Sequence, residues 1–214
     1  MMAQSKKQKK TTADSTLRII GGKWRSRLLP VADLPGLRPT TSRVRETLFN
    51  WLQNDVPGAR CLDLFAGSGA LGFEAASRGA GSVTMLETQN QAAKILRENI
   101  QTLNAEQVQL LQTDAISWLN SVADSVADSV ADSVADSAQN FDVVFIDPPF
   151  DSDYLAQACE LLEARQCLSE HACIYLEMNR KQDLPELPHS WTVVREKKAG
   201  QVGYYLVRRN IQRE

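Results

Sequence analysis

The sequence is poor in the residues that usually carry metal and nucleophilic chemistry. Its 214 residues include two histidines and four cysteines. Cys61, Cys159, Cys167 and Cys173 show no CxxC spacing. Cys167, His171 and Cys173 lie close together, but their spacing matches no common zinc site. The cysteines read as buried, reduced thiols of a cytoplasmic protein, and no metal is expected. No apolar run approaches the roughly 20 residues that span a bilayer, so neither a membrane helix nor a membrane partner is expected. The opening stretch MMAQSKKQKKTTADS leads into no apolar segment and does not read as a secretory signal. Residues 1–16 read as a disordered basic tail.

A large excess of one charge is missing too, since the net is −2. That total hides a segregation. Residues 1–51 carry +8, residues 52–190 carry −14 and residues 191–214 carry +4. Basic ends around an acidic body suit a polyanion gripped by the ends, such as a nucleic acid. Tails that only solubilise the chain are the alternative. The length suits one α/β domain with a small extension, able to bury roughly 70% of its unfolded surface. A monomer is the default.

The extension is residues 17–41. LRIIGGKWRSRLL (17–29) reads as two short strands around Gly21-Gly22, a hairpin signal. In a strand, Lys23, Arg25 and Arg27 would share one face and Trp24 and Leu28 the other. Arg18, Arg38, Arg43 and Arg45 would extend the basic surface, which would hold phosphates. Ser42 is placed to cap a helix through about Gln53.

From residue 42 the chain alternates. Strands are expected at 60–65, 82–87, 107–112, 141–147 and 172–178, with helices at 70–78, 90–103, 115–120 and 152–164. Two closing strands, 191–200 and 201–209, turn near Gly200. Repeated βα units predict a doubly wound, mostly parallel, seven-stranded Rossmann-like sheet with one antiparallel strand near an edge. Residues 121–137 are SVAD four times plus a serine. A period of four is too short for a solenoid and reads as an insertion, a loop or frayed helix.

DLFAGSGALG (63–72) places Gly67, Gly69 and Gly72 as GxGxxG between a strand and a helix, and Glu87 ends the next strand. That is formally a dinucleotide fingerprint. Asp63 argues against a pyrophosphate, which its carboxylate would repel. It suits an α-ammonium group instead, with the helix N-terminus favouring a carboxylate. Ribose, adenine and an amino-acid tail together describe S-adenosylmethionine. Glu87 would take the ribose hydroxyls and Asp114 the adenine amine. Helix capping is the plain alternative for each acid.

FDVVFIDPPF (141–150) ends a buried strand on Asp147, Pro148, Pro149 and Phe150. The Asp147 carboxylate and the Pro148 carbonyl can accept from the two hydrogens of a planar exocyclic amine. That favours pyramidalisation and stabilises charge developing on nitrogen. Proline fixes the backbone, and Phe150 offers a face on which a base can stack.

LDLFAGSGALGFEAASRGA and FIDPPF resemble the donor and catalytic motifs of class I amino-methyltransferases. LRIIGGKWRSRLLPV, GLRPTTSRVRETLFNWL and GQVGYYLVRR resemble more specifically the RsmD family, over about 17–209 apart from the SVAD insertion. The resemblance implies an S-adenosylmethionine-dependent enzyme acting on a guanine N2 amine of bacterial small-subunit (16S) rRNA, with rRNA or the small ribosomal subunit as partner. It implies a donor site at Asp63, Phe65, Ala66, Gly67, Ser68, Gly69, Glu87, Thr88, Asp114 and Ala115, and catalysis at Asp147–Phe150. The tetrapeptide alone leaves open a DNA amino-methyltransferase or a release-factor glutamine methyltransferase. A non-catalytic rRNA-binding assembly factor is the reading from another class.

Overall fold

A computed structural model of the chain describes residues 16–34, 40–128 (backbone only for 123–128), 140–150 and 152–210. The basic tail through residue 15, Arg38 and the second half of the SVAD repeat lie outside the described residues.

Strands β1 (Thr16–Arg18) and β2 (Leu28–Pro30) pair antiparallel, with Leu17 opposite Leu29. Helix α1 (Ser42–Trp51) follows. Its cap is Thr41 rather than the expected Ser42: Thr41 Oγ1 accepts from Val44 N–H at 3.4 Å. The alternating body then runs β3 (Arg60–Asp63), α2 (Ala70–Ser77), β4 (Ser82–Leu86), α3 (Asn90–Leu103), β5 (Val108–Leu111), α4 (Ala115–Asp128), β6 (Phe141–Ile146), α5 (Tyr154–Ala164), β7 (Leu168–Asn179), β8 (Trp191–Ala199) and β9 (Val202–Arg209).

The seven strands after α1 form one sheet in the order β5-β4-β3-β6-β7-β9-β8. β3 through β7 pair in parallel, and β9 lies antiparallel between β7 and β8. The doubly wound expectation therefore holds, with β9 as the antiparallel member. β7 begins four residues before the expected Ala172, and its pairing with β6 shifts register between Phe141 and Val143. Polar Ser169, Glu170 and His171 hide that early part from a search for apolar runs.

A parallel sheet covered on both faces needs two cores. One gathers Val143, Phe145, Cys173 and Tyr175 from the sheet with Leu48, Phe49 and Phe73 from α1 and α2. Leu17, Ile19, Trp24 and Leu29 of the extension belong to this same core. The other gathers Val144, Ile146, Ile174 and Leu176 with Leu119 of α4 and Leu162 of α5. α2 packs against the sheet so closely that a Cβ at Gly72 would sit 2.2 Å from Met85 Cε. α4 runs eight residues beyond the expected Asn120, and half-buried Val122 packs on the second core. The first two SVAD repeats thus continue the helix. All four cysteines are buried free thiols, and burial pushes Cys61, Cys159 and Cys173 up to about 12.

Candidate active site

The sheet order reverses between β3 and β6, and their carboxyl ends lie side by side. Asp63 is in register with Phe145, and Leu64 N–H donates to the Phe145 carbonyl at 3.1 Å. The glycine loop after β3 and the tetrapeptide after β6 therefore leave the sheet together. Such a switch point is where open α/β sheets bind ligands.

In the glycine loop, Gly67 and Gly69 adopt positive φ of 53° and 76°. That backbone suits glycine, and a Cβ at Gly69 would also meet the Phe73 ring at 2.5 Å. Glu87 braces the loop. One carboxylate oxygen accepts from Gly67 N–H at 2.9 Å and the other from Gln89 N–H at 2.7 Å. A carboxylate oxygen has two lone pairs, so each retains capacity for a hydroxyl. Phe65 is half-buried and stacks on Tyr154 with centroids 5.9 Å apart. Thr88 is exposed, whereas Ala66, Ser68 and Ala115 are buried.

Two acids differ from expectation. Asp63 is 2% exposed and accepts from Gly72 N–H at 3.0 Å, so here it anchors the loop to α2. The ammonium contact expected of it has almost no accessible surface to use. Burial pushes its carboxyl up to about 7, against the pull of the backbone donors at Gly72 and Phe65. Asp114 is a helix cap: its Oδ1 accepts from Ser117 N–H at 2.8 Å at the start of α4. The cap occupies one oxygen of a half-buried carboxylate, and a ligand amine can use the other.

Asp147 sits just past β6, half-buried. Its neighbour across the register is Glu177 at the end of β7, following the pair Ile146 and Leu176. Thr40 Oγ1 donates to Asp147 Oδ2 at 3.2 Å. Burial raises the Asp147 carboxyl well above the usual carboxylate range, with Glu177 and Asp63 adding to the rise and the Thr40 hydroxyl opposing it. Glu177 is raised by burial as well, countered by Tyr175 Oη, which donates to it at 2.6 Å. Pro148 is buried, Pro149 exposed and Phe150 half-buried. Behind this corner, toward α5, Pro148, Phe150, Leu155, Glu177 and Met178 help line a cleft of about 160 Å³. Asp147 is not among its lining residues, and its carboxylate accepts from Thr40.

The basic surface also needs correction. Lys23, Arg25 and Arg27 are exposed, but residues 21–26 form turns between β1 and β2, and Ser26 has φ of 69°. Alternation along a strand therefore does not describe them. Trp24 is buried as expected, whereas Leu28 is 54% exposed and Leu29 packs inward in its place. Arg18 and Arg43 are exposed. Arg45 is 2% exposed and cannot hold a phosphate at the surface. Its guanidinium donates to the carbonyls of Thr40 and Arg18 and pairs with Glu74 at 3.5 Å. Burial lowers its affinity for its proton, and Glu74 offsets that.

Glu74 is the hub of this arrangement. It is fully buried on α2 and accepts from Ile20 N–H and Gly21 N–H, both at 2.8 Å, and from Arg78 at 2.7 Å. Sequence reading missed Thr40, Glu74 and Glu177 and placed Arg45 at the surface. A signal existed for two of them. Arg45 shares the i, i+3, i+4, i+7 face of Leu48, Phe49 and Leu52. Glu74 is a lone acid in the otherwise apolar run ALGFEAA, and a buried charge needs a partner.

Known proteins match most of the chain. The family model described as Conserved hypothetical protein 95 matches residues 17–208. The ribosomal RNA small subunit methyltransferase D of Escherichia coli K12 is 44% identical over 198 residues, covering 92% of each chain. Its Haemophilus influenzae counterpart is 41% identical over 203 residues, covering 94% of this chain and 98% of that one. The solved structure of yhhF from Escherichia coli superposes with a TM-score of 0.79 at 41% identity, covering 92% of this chain and 100% of that one. The chain therefore belongs to the RsmD family of methyltransferases.

Proposed function

We propose that the chain transfers a methyl group from S-adenosylmethionine to the exocyclic N2 amine of a guanine in small-subunit (16S) rRNA. One observation carries the reading. An oriented carboxylate and a proline-fixed carbonyl, Asp147 and Pro148, leave the sheet beside a glycine loop braced by Glu87. The relatives' names supply the substrate class.

The residues fit such a donor. Glu87 has lone pairs for ribose hydroxyls, Asp114 has one carboxylate oxygen beyond its helix cap, and Phe65 offers an aromatic face. The N–H groups at the start of α2 suit a carboxylate. When bound, S-adenosylmethionine supplies an electrophilic methyl on a sulfonium. Everything else falls to this chain. A guanine N2 lone pair is delocalised into the ring and is a weak nucleophile. Hydrogen bonds from its two N–H groups to Asp147 and the Pro148 carbonyl hold the nitrogen in place and favour the pyramidal form. As nitrogen gains the methyl it becomes cationic, and the same two acceptors stabilise that charge. The sulfur–methyl bond breaks as the nitrogen–methyl bond forms, so the donor would leave as a neutral thioether, and the nitrogen passes one proton to solvent, leaving the neutral methylated amine. Phe150 gives the base a stacking face, and placement of the reactants contributes much of the rate.

The test is methyl transfer from labelled donor to small ribosomal subunits lacking the modification, with mapping of the modified base. Label on a guanine N2 is the expected result. With DNA and a release factor offered in parallel, label there and none on the subunits would replace the reading with one of its relatives in chemistry. Donor binding without transfer to any RNA would favour an assembly factor.

A further inference from the structure

We infer that Thr40 is a positioning residue for the methyl transfer: its hydroxyl fixes one oxygen of Asp147 and so presents the other to the target amine. The inference rests on the proposed amine-methylating role of Asp147.

The geometry that points to it is a continuous chain of contacts. Thr40 is 7% exposed and donates through Oγ1 to Asp147 Oδ2 at 3.2 Å. Its carbonyl is in turn held by Arg45 Nε at 3.3 Å. Arg45 is fixed by Glu74 and by the Arg18 carbonyl, and Glu74 grips the backbone at Ile20 and Gly21. Thr40 is therefore held from behind by the buried Arg45 guanidinium, which Glu74 and the Arg18 carbonyl hold in turn. A side chain held this way can set the orientation of the carboxylate it touches.

The carboxylate needs it for a second reason. From the sheet, Asp147 faces Glu177 and Tyr175 on β7 and Asp63 on β3. Among the described residues, Arg45 on α1 is linked to Asp147 through Thr40, whose carbonyl it holds. These acids and the surrounding burial favour a protonated Asp147. A protonated carboxyl is a poor acceptor for an amine that is becoming positive. Thr40 donates to the ionised form and opposes the rise. The hydroxyl thus serves orientation and charge state at once, without touching the base.

The experiment compares Thr40→Val and Thr40→Ser with the parent enzyme on the same ribosomal subunits. Thr40→Val is expected to lower kcat by about 10- to 100-fold, the effect of losing one hydrogen bond to a charged group. KM for donor and subunit should stay within about twofold of the parent, because uniform binding is untouched. The acid limb of the rate profile should move to higher pH in Thr40→Val, since Asp147 then protonates more readily. Thr40→Ser should restore both rate and profile. A Thr40→Val enzyme with parental kcat and an unmoved acid limb overturns the inference. So does a Thr40→Ser enzyme as impaired as Thr40→Val while both melt like the parent. Product mapping separates this from the parent reading: if the parent enzyme itself labels no guanine amine, it is the proposed reaction that fails.

Discussion

The acids at the strand ends look alike in sequence and differ in the folded chain. Asp147 presents a carboxylate beside a rigid carbonyl, Glu87 braces a loop, and Asp63 is sealed beneath it. Replacement of Asp147 by alanine is expected to lower kcat about 10²- to 10³-fold, the usual effect of removing one oriented polar group, with donor affinity unchanged by calorimetry. Replacement of Glu87 by alanine should weaken donor binding by about 1–3 kcal/mol, since a charged acceptor for hydroxyls is lost. Asp63 makes a pH prediction. Its carboxyl moves from an ordinary value of 3.8 to about 7 on folding. The folded state therefore holds a proton that the unfolded chain releases. Its contribution to stability is complete below about pH 4 and is lost as pH rises toward about 7. Unfolding free energy measured in urea at about pH 5 and about pH 8 should fall less steeply for Asp63→Asn than for the parent. An equal slope in both would mean that Asp63 ionises freely in the folded chain.

Helices and strands of the body were legible because their periods are clean. α3 begins and ends where its pattern predicts, and four of the five parallel strands are runs of four to six residues, whereas β7 was legible only from Ala172 onward. What was misread has a physical reason in each case. The N-terminal basic residues alternate with others, which mimics a strand, but Gly22 and Ser26 turn the backbone instead. Their exposure survives the correction even though their alignment does not. Arg25→Ala with Arg27→Ala should reduce the salt slope of RNA binding by about 1–2 units, because about two fewer counterions are released. A buried charge such as Glu74 cannot be placed from local pattern, since its partners lie on other elements. Replacing Glu74 by glutamine leaves Arg45 buried and without its counter-charge, and should destabilise the fold by about 3–5 kcal/mol in urea unfolding. The second half of the SVAD repeat makes a milder test. Removing residues 129–136 leaves α4 whole and keeps Val122 on its core. Loop closure varies by only about 0.6 kcal/mol per doubling of length, so activity and melting temperature should stay near those of the parent.

For the whole molecule, the outermost strand of the sheet is its most exposed element. β8 has Thr192 through Lys198 exposed, including Val193 and Val194, and lies at the sheet edge. Its pairing shifts register between Val193 and Arg195, and the charged run Arg195, Glu196, Lys197 and Lys198 follows the apolar pair. A bulge and charged side chains are the usual protection of an edge against pairing with another chain. At the opposite end of the chain, residues 17–31 place Leu17, Ile19, Trp24, Leu29 and Val31 in the first core, on a segment that the alternating body does not include. Its hold on that body consists of side chains in a shared core and hydrogen bonds with Glu74, Ser77, Arg45 and Asn99. Seen that way, residues 17–41 behave as a peptide ligand tethered to its own receptor. A body begun at residue 42 would expose an apolar groove with a buried acid at its centre. Supplying the missing segment in trans should then fill that groove, and the two pieces should rebuild one folded enzyme that neither forms alone.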